Sequence, residues 1–454
     1  MIDLILRNGT IVDPVDGEYR ADLAVSAGKI AAILAPGTAI EARRSIDVAG
    51  KHVMPGVIEP HTHIGFFNEF SADADTETAS AAIGGITTVF SFHRHYKSAQ
   101  PKPYDDFPEL VAAINDNAHV DVAIHLGMLT ETQTNELEKY IDWGVSSFKF
   151  YMAYRGADGK TVGMINEIDD GVMVEAFDVL GRHSHAVACV HCENTEIIGR
   201  REKQLKASGR TDLAAWNAAR PSFAEAEHVR RAGYFAERAG CNLYYVHIGA
   251  ELGLEEAIIQ RDRYGKITIE TCPHYLMVTE DSPLGSIAKV NPPVRARRDL
   301  DRIWRGVLEG DILTIGTDHC AMPRSRKAGD IWKAAAGFPG MATMLPVMLS
   351  EGHHRRGMSL QKITQALSYN ASKVFNLYPA KGVLHVGADA DIAVVDINLE
   401  RKVDPAMLAS SSDFSLQEGM TLKGWPIMTI CRGEIVAENG RVVGKRGHGR
   451  FLKR

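Results

Sequence analysis

Short apolar runs alternate with longer stretches of helical period through the middle of this chain, and neither end shares that texture. Eight runs stand out: Met54–His63, Thr87–Phe92, Val120–Leu126, Ser146–Phe150, Ala186–His191, Leu243–His247, Ile267–Cys272 and Ile312–Asp318. Each has strand length, and near-continuous apolarity suits strands covered on both faces. Between them, Phe107–Asn117, Phe223–Ala239 and Asp299–Leu308 place apolar residues at helical spacing, with charges on a solvated face. Eight strand–helix alternations predict an α/β fold, a (β/α)8 TIM-like barrel. A doubly wound sheet is the structural alternative, but no Gly-rich phosphate loop opens the first unit.

The two ends read differently. Leu4–Val12 carries Asn8-Gly9, a hairpin signal between apolar residues, and Asp22–Ile33 repeats the pattern around a turn near Gly28. After Lys381 the same texture returns in Val386–Asp396 and Ile427–Val436. The expectation is one discontinuous β-sandwich domain, residues 1–53 and 382–454, with the barrel of residues 54–381 inserted. The basic, glycine-rich tail from Gly444 to Arg454 reads as a surface or subunit-contact segment, not a nucleic-acid arm.

Composition narrows the class. A chain of 454 residues has room for one large domain and a smaller one. A net charge of -6 argues against a nucleic-acid partner. No apolar run is long enough to span a bilayer, and Met1–Arg7 has no signal-peptide character, so no membrane association is expected. Cys189, Cys192, Cys241, Cys272, Cys320 and Cys431 lie mostly in apolar runs, as suits reduced thiols in a cytoplasmic protein. Cys189 and Cys192 have zinc-ribbon spacing, but no second pair accompanies them.

The chemistry gathers at the strand ends, where barrels of this kind carry their active groups. His61 and His63, two apart on one strand, face the same side and offer half of a metal site. Lys149 sits on the fourth strand, His191 and His247 end the fifth and sixth, and Asp318 ends the eighth. Chance places one or two such groups at a rim; five occupied ends of eight point to a metal centre. Lys149 is the odd member, because an ammonium ligates no metal. It is either ion-paired with a group such as Asp318 or carboxylated by carbon dioxide into an anionic bridging ligand.

The motifs Pro55–His63, Ser147–Tyr154, Val190–Asn194, Val246-His247, Glu270–Leu276, Asn291–Arg295 and Gly316–Cys320 together resemble the cyclic-amide branch of the amidohydrolase superfamily, the dihydropyrimidinase/hydantoinase group. The likeness continues through Asn370–Gly382 and Gly387–Asp391 to Gly447–Phe451, nearly the whole chain. It implies two divalent metals, usually zinc: His61, His63 and Asp318 on one, His191 and His247 on the other, carboxylated Lys149 bridging. A hydroxide shared by the metals would open the amide of a small cyclic substrate. Asp318 would serve as general base and then general acid, and Tyr154 would stabilise the oxyanion. Tyr154, Asn291, Phe66 and Gly337 are the expected substrate contacts, and a homotetramer (or homodimer) is the implied assembly.

Three departures bear on the substrate. Ile64 stands where dihydroorotase-like members carry a carboxylate-binding arginine, which disfavours an acidic ring. Ala336 replaces the asparagine with which hydantoinases contact the ring amide. Glu59 replaces the usual aspartate before the histidine pair. Strand two adds His93-Arg94-His95, read as a pocket-shaping loop, with Phe67 and Tyr96 nearby as candidate pocket lining. The leading expectation is a hydrolase of hydantoin or dihydropyrimidine type. Allantoinase or cyclic-imide hydrolase is the alternative, and a non-catalytic assembly protein is disfavoured because all six ligand positions are filled.

Overall fold

A computed structural model describes residues 1–94, 103–155 and 166–454. Eight parallel strands follow one another in a nearly closed barrel: β1 (Val57–Thr62), β2 (Ile86–His93), β3 (Asp121–Met128), β4 (Ser147–Tyr151), β5 (Val187–His191), β6 (Asn242–Tyr245), β7 (Ile267–Thr271) and β8 (Thr314–Ile315). All eight apolar runs thus supply a strand. The helices between them end where their sequences direct. Ser222–Ala239 closes on Gly240 at φ 73° and Arg297–Glu309 on Gly310 at φ 91°, left-handed positions that glycine takes without strain.

The first run is not one strand. His52–Pro55 pairs with Ile2–Asp13 and Ile392–Lys402 in a second sheet, and β1 begins only after Gly56. A Cβ at Gly56 would overlap the Thr87 side chain, so the chain changes sheets at the one residue with no side chain to clash. Hydrophobic patterning misses this hand-over because both sides of it are buried. β6 and β8 likewise stop short of their runs, leaving His247 and Asp318 on irregular backbone beyond the strands.

The second sheet is mixed and takes strands from both chain ends, as expected. Its core includes Leu6, Leu23, Val25, Val53, Ile392, Val394 and Ile430, each contributing roughly 1.5–3 kcal/mol by burial. One expectation is corrected. Ile2–Asp13 is a single strand, and Asn8-Gly9 makes a bulge in it instead of a hairpin. Asn8 takes φ 62° and its N–H turns to Asp22 Oδ1 at 2.8 Å, so the turn chemistry is used within the strand. The tail lies at the surface, with Lys445, Arg446, Gly447, Arg450 and Lys453 exposed, and it pairs by backbone with β3: Val122 N donates to Arg450 O, and Leu452 N donates to Val122 O. At its end, the half-buried Arg454 donates to Ile124 O at 2.5 Å.

The chain divides into two compact units. One comprises Met1–Phe90, Leu110–Ala123 and Pro339–Leu452; the other comprises Ser91–Glu109, Ile124–Phe338 and Lys453–Arg454. All six cysteines are buried, and none forms a disulfide. Among the described residues, no helix is long and apolar enough to cross a membrane.

Candidate functional site

The second unit carries Lys149, His191, His247, Asp318 and Tyr154. Lys149 lies in β4 beside Cys189 of β5 and is 1% exposed. Its Nζ stands 4.4 Å from the Phe92 ring centroid and 5.5 Å from that of Tyr151. Burial pushes its pKa down to about 8, against the opposing pull of Asp318. The lowered pKa raises the share of free amine, the form that adds to carbon dioxide.

His191 ends β5, and its ring centroid lies 4.5 Å from that of His247. Its Nε2 pairs with Glu193 Oε2 at 2.8 Å, a contact that sets the ring's orientation and tautomer. Burial holds the imidazole pKa below its usual value, with Glu193 opposing, and the neutral ring is the ligating form. His247 N donates to Glu270 Oε1 at 2.8 Å, and Tyr244 Oη donates to the other Glu270 oxygen at the same distance. Tyr154 packs its ring 5.2 Å from that of His191.

Backbone geometry marks the same residues. Among the described residues, nine that are not glycine have positive φ, and three of these are Tyr154 (58°), His247 (42°) and Asp318 (53°). Such a conformation costs on the order of 1–3 kcal/mol and persists where the surroundings impose it, most often at functional sites.

The first unit carries His61 and His63. His61 is fully buried in β1 and His63 lies just past its end; the ring centroids are 5.5 Å apart, and ligand nitrogens of the two come within 4.8 Å. Glu59 Oε1 accepts the His61 N–H at 2.7 Å, so the glutamate in the aspartate's place still braces the histidine pair. Phe66 stands 6.0 Å from the His63 ring and 4.5 Å from Phe67.

Among the remaining expected contacts, Asn291 is 7% exposed, and Gly337 takes φ 97° and donates its N–H to Lys289 O at 2.9 Å. His93 packs 5.8 Å from the Tyr104 ring. His95 and Tyr96 lie outside the described residues. A further acidic group, Asp121, Asp389 and Asp391, holds the Lys381 ammonium at 2.9, 3.2 and 2.5 Å and is a buried ion cluster, not a cation site.

Sequence reasoning gave no role to Glu193 or Glu270. For Glu193 a signal existed in its position two residues past His191; Glu270 is distant in sequence and meets His247 only through the pairing of β6 with β7. Glu193→Gln is expected to weaken metal binding by about 10–100-fold while the fold stays intact. Competition against a chromogenic chelator measures this, and unchanged affinity would remove Glu193 from the ligand's support.

A parallel eight-stranded barrel with imidazoles, a lysine and an aspartate at its strand ends, beside a sheet built from both chain ends, is the architecture of a metal-dependent hydrolase. The amidohydrolase family model matches residues 52–436, and the chain belongs to that family. It is 35% identical over 466 residues to the L-hydantoinase of Paenarthrobacter aurescens, covering 100% of this chain and 98% of that one. It is 33% identical over 460 residues to an allantoinase of Rubrobacter xylanophilus, covering 99% and 97%. The solved L-hydantoinase (dihydropyrimidinase) from Arthrobacter aurescens superposes with a TM-score of 0.93 at 34% identity, over the whole of both chains.

Proposed function

We propose that this protein hydrolyses the amide bond of a cyclic amide of hydantoin or dihydropyrimidine type. The observation that carries the reading is the donor set: six positions hold residues able to ligate two metals, and the buried Lys149 stands among them. The donor chemistry fits such a centre, with neutral imidazoles for a borderline cation and a lysine whose free amine is accessible to carbon dioxide. His61, His63 and Asp318 would hold one divalent ion, His191 and His247 the other, and carboxylated Lys149 both, with zinc the first choice. When bound, such ions lower the pKa of water and polarise a carbonyl.

The chain's own residues supply the rest. Asp318 takes the proton from the attacking water and returns it to the ring nitrogen as the C–N bond breaks. The Tyr154 phenol donates to the carbonyl oxygen as negative charge develops there. A hydantoin would leave as an N-carbamoyl amino acid, a dihydropyrimidine as an N-carbamoyl β-amino acid.

The test is a panel of hydantoin, 5-substituted hydantoins, dihydrouracil, allantoin and cyclic imides, with metal content measured on the same preparation. Turnover of a hydantoin or dihydropyrimidine supports the reading. Failure of the metal-replete protein on every ring sinks it. Ala336 favours keeping allantoin and the imides in the panel, since it removes a ring contact. A homotetramer (or homodimer) is proposed from the family resemblance alone, and a cytoplasmic location from the reduced cysteines; light scattering tests the assembly.

A further inference from the structure

Lys149 is not the only cation beside the Tyr151 ring. Lys149 and Tyr151 lie two apart on β4, so their side chains leave the same face of the strand. In register, Tyr151 stands beside His191 of β5. From just past the end of β2, Arg94 reaches the same phenol. Its Nη1 donates to Tyr151 Oη at 2.6 Å, and its Cζ stands 5.2 Å from the ring centroid. Tyr151 is 2% exposed and Arg94 is half-buried. The Tyr151 ring in turn lies 6.0 Å from that of Tyr154. Arg94 thus stands at the rim that carries Lys149 and Tyr154, where sequence reasoning gave it no role beyond shaping a loop.

The placement is electrostatically costly. Burial is the main cause of the lowered Lys149 pKa, and the Arg94 charge adds to it, so two cations oppose each other beside one ring. The phenol is a neutral acceptor, and its bond orients the guanidinium without cancelling the charge. A buried tyrosine hydroxyl could be satisfied by a neutral donor or acceptor, and a phenylalanine at 151 would need neither. A cation kept at this cost, at the rim where such barrels act on substrate, suits recognition better than packing. The partner that a guanidinium matches is a carboxylate, which its planar fork can hold by two parallel bonds. Ile64 argues against an acid held from the end of β1; Arg94 offers to hold one from the end of β2.

We propose that the ring this protein opens carries a carboxylate substituent, and that Arg94, aimed by the Tyr151 hydroxyl, receives it. The inference deepens the cyclic-amide reading above and rests on it. The substrate class is then a hydantoin or dihydropyrimidine bearing a carboxyl or short carboxyalkyl group, and the product is an N-carbamoyl amino acid with a second carboxylate. The incoming anion balances the charge that Arg94 brings to the rim.

The full-length, metal-replete protein is assayed on matched pairs: hydantoin-5-acetate against hydantoin-5-acetamide, and 5,6-dihydrouracil-6-carboxylate against its primary amide. The members of a pair differ in charge but hardly in shape. The parent is expected to prefer the acid by about tenfold or more in kcat/KM, the worth of one charge-assisted contact, and the preference should shrink as salt rises. Arg94→Met should abolish the preference and Arg94→Lys should keep part of it. Tyr151→Phe, which removes only the hydroxyl that aims the guanidinium, should weaken it. A merely structural Arg94 would change both members of a pair alike, so the ratio reads recognition apart from folding. A parent that opens the amide as readily as the acid overturns the inference, and that measurement needs no variant to fold. A preference for the acid that Arg94→Met leaves intact overturns it as well. A parent that opens no ring of the pairs or of the panel brings down the cyclic-amide reading and this inference together; one that opens neutral rings and rejects the acids brings down this inference alone.

Discussion

Asp318→Asn is expected to lower ring-opening kcat by about a thousandfold or more while the protein stays folded. That is about 4 kcal/mol of transition-state stabilisation, the loss anticipated when one group both receives a proton and delivers it. Asparagine is the informative replacement because of the backbone. Asp318 sits at φ 53°, a region that asparagine and aspartate tolerate better than other residues with a side chain, so the local backbone survives the change. Asp318→Ala would mix backbone strain with lost chemistry. The neutral amide retains an oxygen for coordination but cannot take up the proton. Steady-state kinetics, metal content and far-ultraviolet circular dichroism on one sample decide the matter. Turnover near that of the parent would refute the proton-transfer role, and a loss of metal equal to the loss of rate would reduce Asp318 to a ligand.

The barrel was legible because its strands are buried on both faces, so each reads as an apolar run of limited length, and the chemistry stands at the ends of those runs. Local patterning could not show where buried chain passes from one sheet to another. Met54–His63 is apolar throughout, yet it serves two sheets, and only the packing of Gly56 against Thr87 reveals the break. Asn8-Gly9 misled in the opposite direction: its preference for positive φ was real, but a bulge satisfies it as well as a hairpin does.

At the candidate site, the proposed ligand positions could be picked out because strand ends are fixed points in sequence. Their supports could not. Glu270 braces His247 across a strand pair, and Lys327 reaches a carbonyl 38 residues away. Such contacts exist only once the chain has folded. The positive φ values at Tyr154, His247 and Asp318 were equally hidden, since none of the three is glycine. Strain of this kind is invisible in a sequence because nothing local favours it; the surrounding fold imposes it.

Lys149→Met should strip the protein of most of its metal, and its effect on stability should change sign with metal present or absent. Methionine matches the lysine stem in length and opens little cavity, so the change removes the ammonium and any carboxylate built upon it. In the parent, bound metal stabilises the folded state by RT ln(1 + [L]/Kd), about 4 kcal/mol at a thousandfold excess over Kd. The variant, with no bridging ligand, should lose most of that metal-dependent rise in thermal midpoint. The order should reverse after chelation. A lysine 1% exposed, with its pKa pushed down to about 8, is a destabilising group when no metal balances it. The stripped variant should therefore melt no lower than the stripped parent. A short aliphatic carboxylate added to Lys149→Ala, whose truncated stem leaves room for it, should restore part of the metal content by supplying the missing oxygens. Emission spectrometry for metal and paired thermal melts test all three expectations. Full metal occupancy in Lys149→Met would exclude Lys149 as the bridge and leave it a buried cation whose presence needs another explanation.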